Sequence, residues 1–195
     1  MPYEIFDTHA ERYDRWFEDH RDTYRQELKM IKSIPGVKGA DLEIGVGTGR
    51  FAAPLGIGLG IDPSLPMLRM AMARGIETVR GVTESMPFRD ASFGSILVMT
   101  SLCYFDDPRQ AFREIHRVLA PGGRVLIGFL GRGEEIAEKY RKTTGKGTFL
   151  SHATFYTPEE VSRMVEEAGF SGLKMHERGR ASVKGFHMMT AIRPD

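Results

Sequence analysis

The sequence predicts an α/β protein built on a doubly wound parallel sheet, with helices on both faces. Between residues 40 and 129, apolar segments of strand length alternate with segments of helical periodicity. The first apolar segment runs into a cluster of three glycines, and the second ends in a carboxylate. Ligands of such sheets bind outside the carboxyl ends of the strands, where both features would lie.

The chain opens with an amphipathic helical region that stops near Pro35-Gly36. An aromatic stripe on such a helix either packs into the core or caps a ligand pocket. The apolar positions that recur at helical spacing are Tyr13, Trp16, Phe17, Tyr24, Leu28 and Ile31.

Five predicted strands and three predicted helices follow in alternation. Ser64 is placed to cap the second helix, and Asp106-Asp107-Pro108 to begin the third, which ends at Ala120-Pro121-Gly122-Gly123. The predicted strands are 40–44, 59–61, 77–80, 95–99 and 124–129, and the predicted helices are 49–55, 65–73 and 109–119.

The last third of the chain is more irregular. Glu134–Lys142 has a charged helical pattern, and Thr143–Tyr156 has the composition of a loop. Thr157-Pro158-Glu159-Glu160 is a strong helix start, and that helix is predicted to reach Ala168. Two final strands, 173–177 and 186–192, are separated by a basic loop.

The glycine cluster is Gly45-Val46-Gly47-Thr48-Gly49, and it follows Asp41-Leu42-Glu43-Ile44. Glycine suits a sharp strand-to-helix turn at which a ligand approaches the backbone, because a Cβ would obstruct it. Asp62, at the end of the next predicted strand, can accept two hydrogen bonds from a ribose diol. Together they predict a site for a nucleoside-containing cofactor.

The glycine spacing discriminates between cofactors. Dinucleotide-binding turns have the pattern G-x-G-x-x-G, whereas residue 50 is Arg and the pattern here is G-x-G-x-G. This disfavours a nicotinamide-dependent oxidoreductase. The chain also contains no G-x-x-x-x-G-K-[ST] phosphate-binding loop.

The composition of the chain limits the classes of function that it can have. The chain has 195 residues, enough for one domain, and its net charge of +1 predicts neither a nucleic-acid-binding nor a membrane-binding surface. Its longest apolar runs are strand-sized, and the N-terminus lacks the order of a signal peptide. The single cysteine, Cys103, fits a reducing cytoplasm. The six histidines show no metal-ligand spacing, so no metal is expected.

The ordered combination of segments resembles the class I S-adenosylmethionine-dependent methyltransferases, of the small UbiE-like type. Gly81–Phe88 is similar to the family's G-D-A-E-x-L-P-F segment, with Val82 in place of its Asp. Phe105–Pro108 and Ala111–Gly123 resemble its V-x-D-P…A-L-x-E-x-x-R-V-L-x-P-G-G signature. The resemblance covers residues 38–170 and implies a Rossmann-like, seven-stranded sheet whose last strand is antiparallel.

The resemblance also implies roles for individual residues. The turn would cradle the methionine half of S-adenosylmethionine, Glu43 would hold that turn or reach the ammonium through water, and Asp62 would accept the ribose hydroxyls. Small members of the family often lay an N-terminal helix over the cofactor, which makes Tyr13 a predicted pocket contact. The full predicted cofactor set is Tyr13, Glu43, Gly45, Val46, Gly47, Gly49, Asp62, Pro63, Met67, Thr83, Glu84, Met99 and Thr100.

The expected reaction is transfer of the methyl group to a small-molecule acceptor by in-line displacement, which leaves S-adenosylhomocysteine. A nitrogen or oxygen acceptor must lose a proton, and the candidate proton acceptors are Tyr104 and His152. The alternatives are a non-catalytic nucleoside-binding protein and a methyltransferase acting on tRNA or protein.

The chain is expected to be one methyltransferase domain, monomeric or homodimeric. Within it, residues 1–36 would form a helical lid, 37–130 the cofactor-binding half and 131–195 the substrate side.

Overall fold

A computed structural model describes residues 4–35, 37, 39–133, 149–176 and 185–195. In this part of the chain, seven strands form one sheet. They are β1 (Leu42–Ile44), β2 (Leu59–Asp62), β3 (Glu77–Arg80), β4 (Phe93–Met99), β5 (Leu119–Leu130), β6 (Ser171–His176) and β7 (Phe186–Ile192). Their order across the sheet is β3-β2-β1-β4-β5-β7-β6, and β7 is antiparallel to both of its neighbours.

The α-helices are α1 (Glu4–Asp19), α2 (Arg21–Lys32), α3 (Ala52–Leu55), α4 (Leu65–Ala73), α5 (Pro108–Val118) and α6 (Pro158–Glu167). Two of them begin at side-chain caps: Asp107 accepts from the Gln110 amide at 3.0 Å, and Thr157 forms a capping box with Glu160. Short 3-10 turns cover Thr83–Ser85, Leu102–Tyr104 and Phe149–His152. None of the helices in the described ranges is long and apolar enough to cross a membrane.

The sheet separates two apolar layers, and β4 shows the division. Ile96 and Val98 point to the face covered by α5 and α6, whereas Leu97 and Met99 point to the face covered by α1, α2 and α4. All four side chains are buried. Helices therefore cover both faces, and only the edges and strand ends of the sheet stay open to a ligand.

The predicted fold class is confirmed, and the differences lie at element ends. The helix predicted from Gly49 begins at Ala52, because Gly49 has φ +80°, outside the helical region. Strand β5 starts at Leu119, so the predicted helix end 120–123 forms the irregular first part of a strand, with Gly122 at φ +73°. The predicted N-terminal helical region consists of two helices, α1 and α2.

Several C-terminal predictions lie wholly or partly outside the described residues. They are the charged helix Glu134–Lys142, residues 143–148 of the loop Thr143–Tyr156 and most of the basic loop before β7.

The close approach of β2 to the turn after β1 depends on Gly60. A Cβ at this position would lie 2.5 Å from the Cβ of Val46, and all three branch carbons of Val46 would be within 2.6 Å. Val46 is buried and branched at Cβ, so it has no rotamer that clears the contact.

We expect Gly60→Ala to lower the free energy of unfolding by about 2–3 kcal/mol, because overpacking forces the backbone of β2 or of the turn to shift. Urea denaturation measures the change. Gly58→Ala is the matched control, since a Cβ there meets nothing within 4 Å, and its effect should stay within about 0.5 kcal/mol. Equal losses in the two variants would contradict this packing argument.

Candidate functional site

The carboxyl ends of β1, β2 and β4 converge on a cavity of about 50 Å³. Seven of its lining residues belong to the predicted cofactor set: Tyr13, Gly45, Gly47, Asp62, Met67, Met99 and Thr100. Two others, Phe6 and Ser101, were not predicted. Pockets for adenosyl-sized ligands usually exceed about 300 Å³, so this cavity holds only part of such a ligand.

The three glycines of the turn have different roles, although all have positive φ. A Cβ on Gly45 would lie 2.3 Å from the Ser101 Cβ, and one on Gly49 would lie 3.3 Å from the Ala71 Cα. A Cβ on Gly47 would meet nothing closer than the Tyr13 ring at 3.8 Å. Gly45 and Gly49 are thus needed for packing, and Gly47 is the position where the turn faces open space.

Asp62 joins the second strand to this turn. Its Oδ2 accepts from the Gly47 amide at 2.9 Å, and its Oδ1 accepts from the Ser64 amide at 2.9 Å. The residue is 9% exposed, and burial raises the pKa of its carboxyl to about 6 despite those two hydrogen bonds. Each oxygen keeps a second lone pair, so the carboxylate can still accept hydrogen bonds from a diol.

Glu43 lies beneath the turn rather than on the cavity wall. It is 1% exposed, and burial raises the pKa of its carboxyl well above the ordinary value. The Ala52 amide donates to it, which ties the end of β1 to the start of α3. Its predicted function of holding the turn agrees with this contact; the water-mediated contact to an ammonium stays a prediction.

Thr100 and Ser101 turn the chain sharply after β4. Thr100 has φ +53°, a strained value for a β-branched residue, and its amide donates to the Gly128 carbonyl at 2.8 Å. The turn brings the Ser101 hydroxyl to the Ile44 carbonyl, to which it donates at 3.0 Å. Sequence reasoning missed Ser101, because a left-handed threonine leaves no sequence signal.

Four rings, here named the aromatic cluster, pack together beside the cavity, and the first two of them line it: Phe6, Tyr13, Tyr104 and Phe149. Phe6 is at their centre, with centroid distances of 5.6 Å to Tyr13, 4.9 Å to Tyr104 and 5.3 Å to Phe149. The contacts to both tyrosines are edge-to-face, a favourable geometry. Phe6 escaped prediction because the periodic pattern was traced only from Tyr13 onward.

The two candidate proton acceptors differ in location. Tyr104 belongs to the aromatic cluster, and burial raises its pKa well above 10, so its hydroxyl is a hydrogen-bond donor and a poor base at neutral pH. His152 is exposed, at the end of a 3-10 turn, and does not line the cavity. Proton abstraction by Tyr104 or His152 stays a prediction.

The remaining predicted contacts lie outside the cavity. Val46 packs against Gly60, Gly49 against α4, and the Pro63 carbonyl accepts from Arg80 at 3.0 Å. Thr83 is buried in its 3-10 turn. The Glu84 carboxylate accepts from the amides of residues 106 and 107 at 2.9 and 3.3 Å, which fixes the start of α5. Their contacts to a cofactor stay predictions.

The donor set around the cavity fits an adenosyl cofactor better than a metal ion. A buried carboxylate at a strand end, an open glycine turn and two methionine side chains suit a ribose, a polar tail and an apolar ring. In the described part of the chain, no three histidine, cysteine or acidic side chains come together as a metal site requires.

Comparison with known proteins identifies relatives of the chain. Residues 42–127 match the family model described as a methyltransferase domain. An uncharacterized protein of Methanocaldococcus jannaschii is 39% identical over 87% of this chain and 82% of its own length. The demethylmenaquinone methyltransferase of Staphylococcus aureus is 27% identical, over 89% of this chain and 86% of that protein.

A solved structure is similar along the whole chain. It is a crystal structure from Thermotoga maritima, described as an S-adenosylmethionine-dependent methyltransferase and possible histamine N-methyltransferase. The two chains superpose with a TM-score of 0.88 at 32% identity, over 99% of this chain and all of the other.

We expect the affinity for S-adenosylhomocysteine to fall as the pH drops below about 6, because a protonated Asp62 accepts hydrogen bonds poorly. The dissociation constant should rise by up to about tenfold per pH unit below that value and stay level above pH 7. Calorimetric titration between pH 5 and 8 measures it.

Asp62→Asn is the control for this pH dependence. Burial raises the pKa of Glu27 to about 7, so this residue also titrates between pH 5 and 8. Because the variant keeps Glu27, any pH dependence of binding that Glu27 causes is present in both proteins. The affinity of the variant should be lower and nearly independent of pH. A wild-type profile that matches the variant's profile would show that Asp62 does not govern binding.

Proposed function

Because the chain belongs to the class I S-adenosylmethionine-dependent methyltransferases, we propose that it transfers the methyl group of S-adenosylmethionine to a small-molecule acceptor, leaving S-adenosylhomocysteine. The observation that carries the proposal is the hydrogen bond from the Gly47 amide to the Asp62 carboxylate. The buried carboxylate accepts this bond and has further lone pairs for a ligand, next to a turn whose backbone faces open space. This pairing supports a ribose-bearing ligand at that strand end.

The residues that would hold the cofactor are distributed over three strand ends. Asp62 would accept the ribose hydroxyls, and the main chain at Gly45 and Gly47 would border the amino-acid tail. Met67 and Met99 are buried, line the cavity and offer polarizable, apolar surface. We keep Thr83 and Glu84 as the proposed adenine edge.

When bound, the cofactor supplies an electrophilic methyl group on a sulfonium, so the protein need not activate a nucleophile. The task of the chain is to align the acceptor and to keep water away from the reacting atoms. The aromatic cluster is suited to both, since its rings are apolar and border Thr100 and Ser101 at the end of β4. The Tyr104 hydroxyl would orient the acceptor by donating a hydrogen bond to it.

One feature favours a small acceptor with a flat or apolar body. Phe6 and Tyr13, the two aromatic residues that line the cavity, offer ring faces and edges to it. The names of the relatives suggest a first panel, since one is a possible histamine N-methyltransferase and another acts on demethylmenaquinone. Aromatic amines and quinols are therefore the first acceptors to test.

We place the protein in the cytoplasm, in keeping with its single half-buried cysteine.

Incubation with methyl-labelled S-adenosylmethionine and this panel should transfer label to at least one acceptor.

The matched test variant is Asp62→Ala, which should weaken binding of S-adenosylhomocysteine at least tenfold. Asp22→Ala, which removes a carboxylate on the exposed face of α2, should change it less than twofold. Binding without label transfer to any small molecule, tRNA or protein would favour a non-catalytic binding protein.

A further inference from the structure

We propose that Asp14 is a positioning residue that holds Tyr13 over the glycine turn through a latch formed by Asp14, Arg50 and Arg74. The inference rests on the proposed binding of S-adenosylmethionine, because it concerns one wall of that site.

The latch is a buried ionic cluster with good geometry. Asp14, on α1, is 8% exposed. Arg50 binds both carboxylate oxygens of Asp14 with one edge of its guanidinium, through Nε at 2.8 Å and Nη2 at 2.6 Å. Arg74 adds a third hydrogen bond from Nη2 at 2.9 Å. Bidentate, charge-assisted contacts of this kind fix orientation more strongly than surface ion pairs do.

Both arginines are anchored to the cofactor turn. Arg50 directly follows Gly49, and Arg74 ends α4 and donates from Nη1 to the Thr48 carbonyl at 2.7 Å. The Tyr24 hydroxyl of α2 donates to the carbonyl of Arg50. One carboxylate on α1 therefore joins that helix to the glycine turn, to α4 and, through Arg50, to α2.

The latch determines where Tyr13 lies. Tyr13 precedes Asp14 in sequence, and its ring is the nearest group to the open side of Gly47. A fixed Asp14 thus sets the distance between the ring and the turn at the point where a ligand passes.

A kink in α1 separates this fixed wall from the segment that carries Phe6. His9 has φ −128° and ψ 27°, outside the helical region, and the latch lies after it. The latch therefore fixes the part of α1 that carries Tyr13, which lies on the other side of the kink from Phe6.

Asp14 is ionised throughout the pH range of 5 to 8 in which binding is measured. Burial alone would raise its pKa, but the hydrogen bonds from the arginines hold it at about 2. A second acidic residue on the same helix provides a control: Glu18 binds Arg50 at 2.6 Å from a more exposed position.

The test compares Asp14→Asn with Glu18→Gln. We expect Asp14→Asn to raise the dissociation constant for S-adenosylhomocysteine at least tenfold and Glu18→Gln to change it less than twofold, by calorimetry at pH 7.5.

A double-mutant cycle separates positioning from general stability. In a Tyr13→Ala background, Asp14→Asn should cost less than threefold, because the residue it positions is gone. A tenfold cost in both backgrounds, or an unchanged dissociation constant in folded Asp14→Asn, would overturn the inference while leaving the proposed function intact.

If circular dichroism shows that Asp14→Asn does not fold, Arg74→Gln takes its place in the same cycle. Arg74→Gln removes one contact of the latch. It should raise the dissociation constant for S-adenosylhomocysteine at least threefold when Tyr13 is present and leave it unchanged in the Tyr13→Ala background. A wild-type protein that binds no S-adenosylhomocysteine would overturn the proposed function and this inference together.

Discussion

The site depends on one hydrogen bond between neighbouring strand ends, from the Gly47 amide to the Asp62 carboxylate. Parallel strands β1 and β2 end side by side, which places the turn after one against the acid that closes the other. Gly60 permits this approach because the adjacent Val46 leaves no room for a side chain. The close packing of β2 against the turn therefore also sets the geometry of the site.

The arrangement carries a cost in stability. The pKa of Asp62 rises from its ordinary value of 3.8 to about 6 because the carboxylate is largely withdrawn from water. Because the pKa of Asp62 is higher in the folded protein than in the unfolded chain, ionisation of this carboxyl destabilises the fold above pH 6 and has no effect below pH 4. The cost is about 3 kcal/mol at neutral pH, and it is the kind expected of a group kept for binding rather than for stability.

The fold and the centre of the site could be predicted from sequence because their signals are local. Glycine spacing, the terminal Asp62 and the alternation of apolar segments each follow from residue type and order. Asp107 and Thr157 marked helix starts for the same reason.

The parts that escaped prediction depend on tertiary structure. Ser101 reaches the site only because Thr100 adopts a left-handed conformation, and Phe6 only because α1 folds back across the sheet ends. The latch joins Asp14 to Arg74 across 60 positions, and charged residues at such separations carry no pairing signal in one sequence. The contact of the Glu84 carboxylate with the start of α5 likewise has no sequence signal, and its predicted contact with adenine stays a prediction.

The most direct test is a crystal structure of the protein with S-adenosylhomocysteine. The account predicts both ribose hydroxyls within about 3 Å of the Asp62 carboxylate, with the amino-acid tail along Gly45 and Gly47 and the Tyr13 ring still over Gly47. Density for the ribose at any other strand end, with Asp62 bonded only to the amides of Gly47 and Ser64, would contradict it.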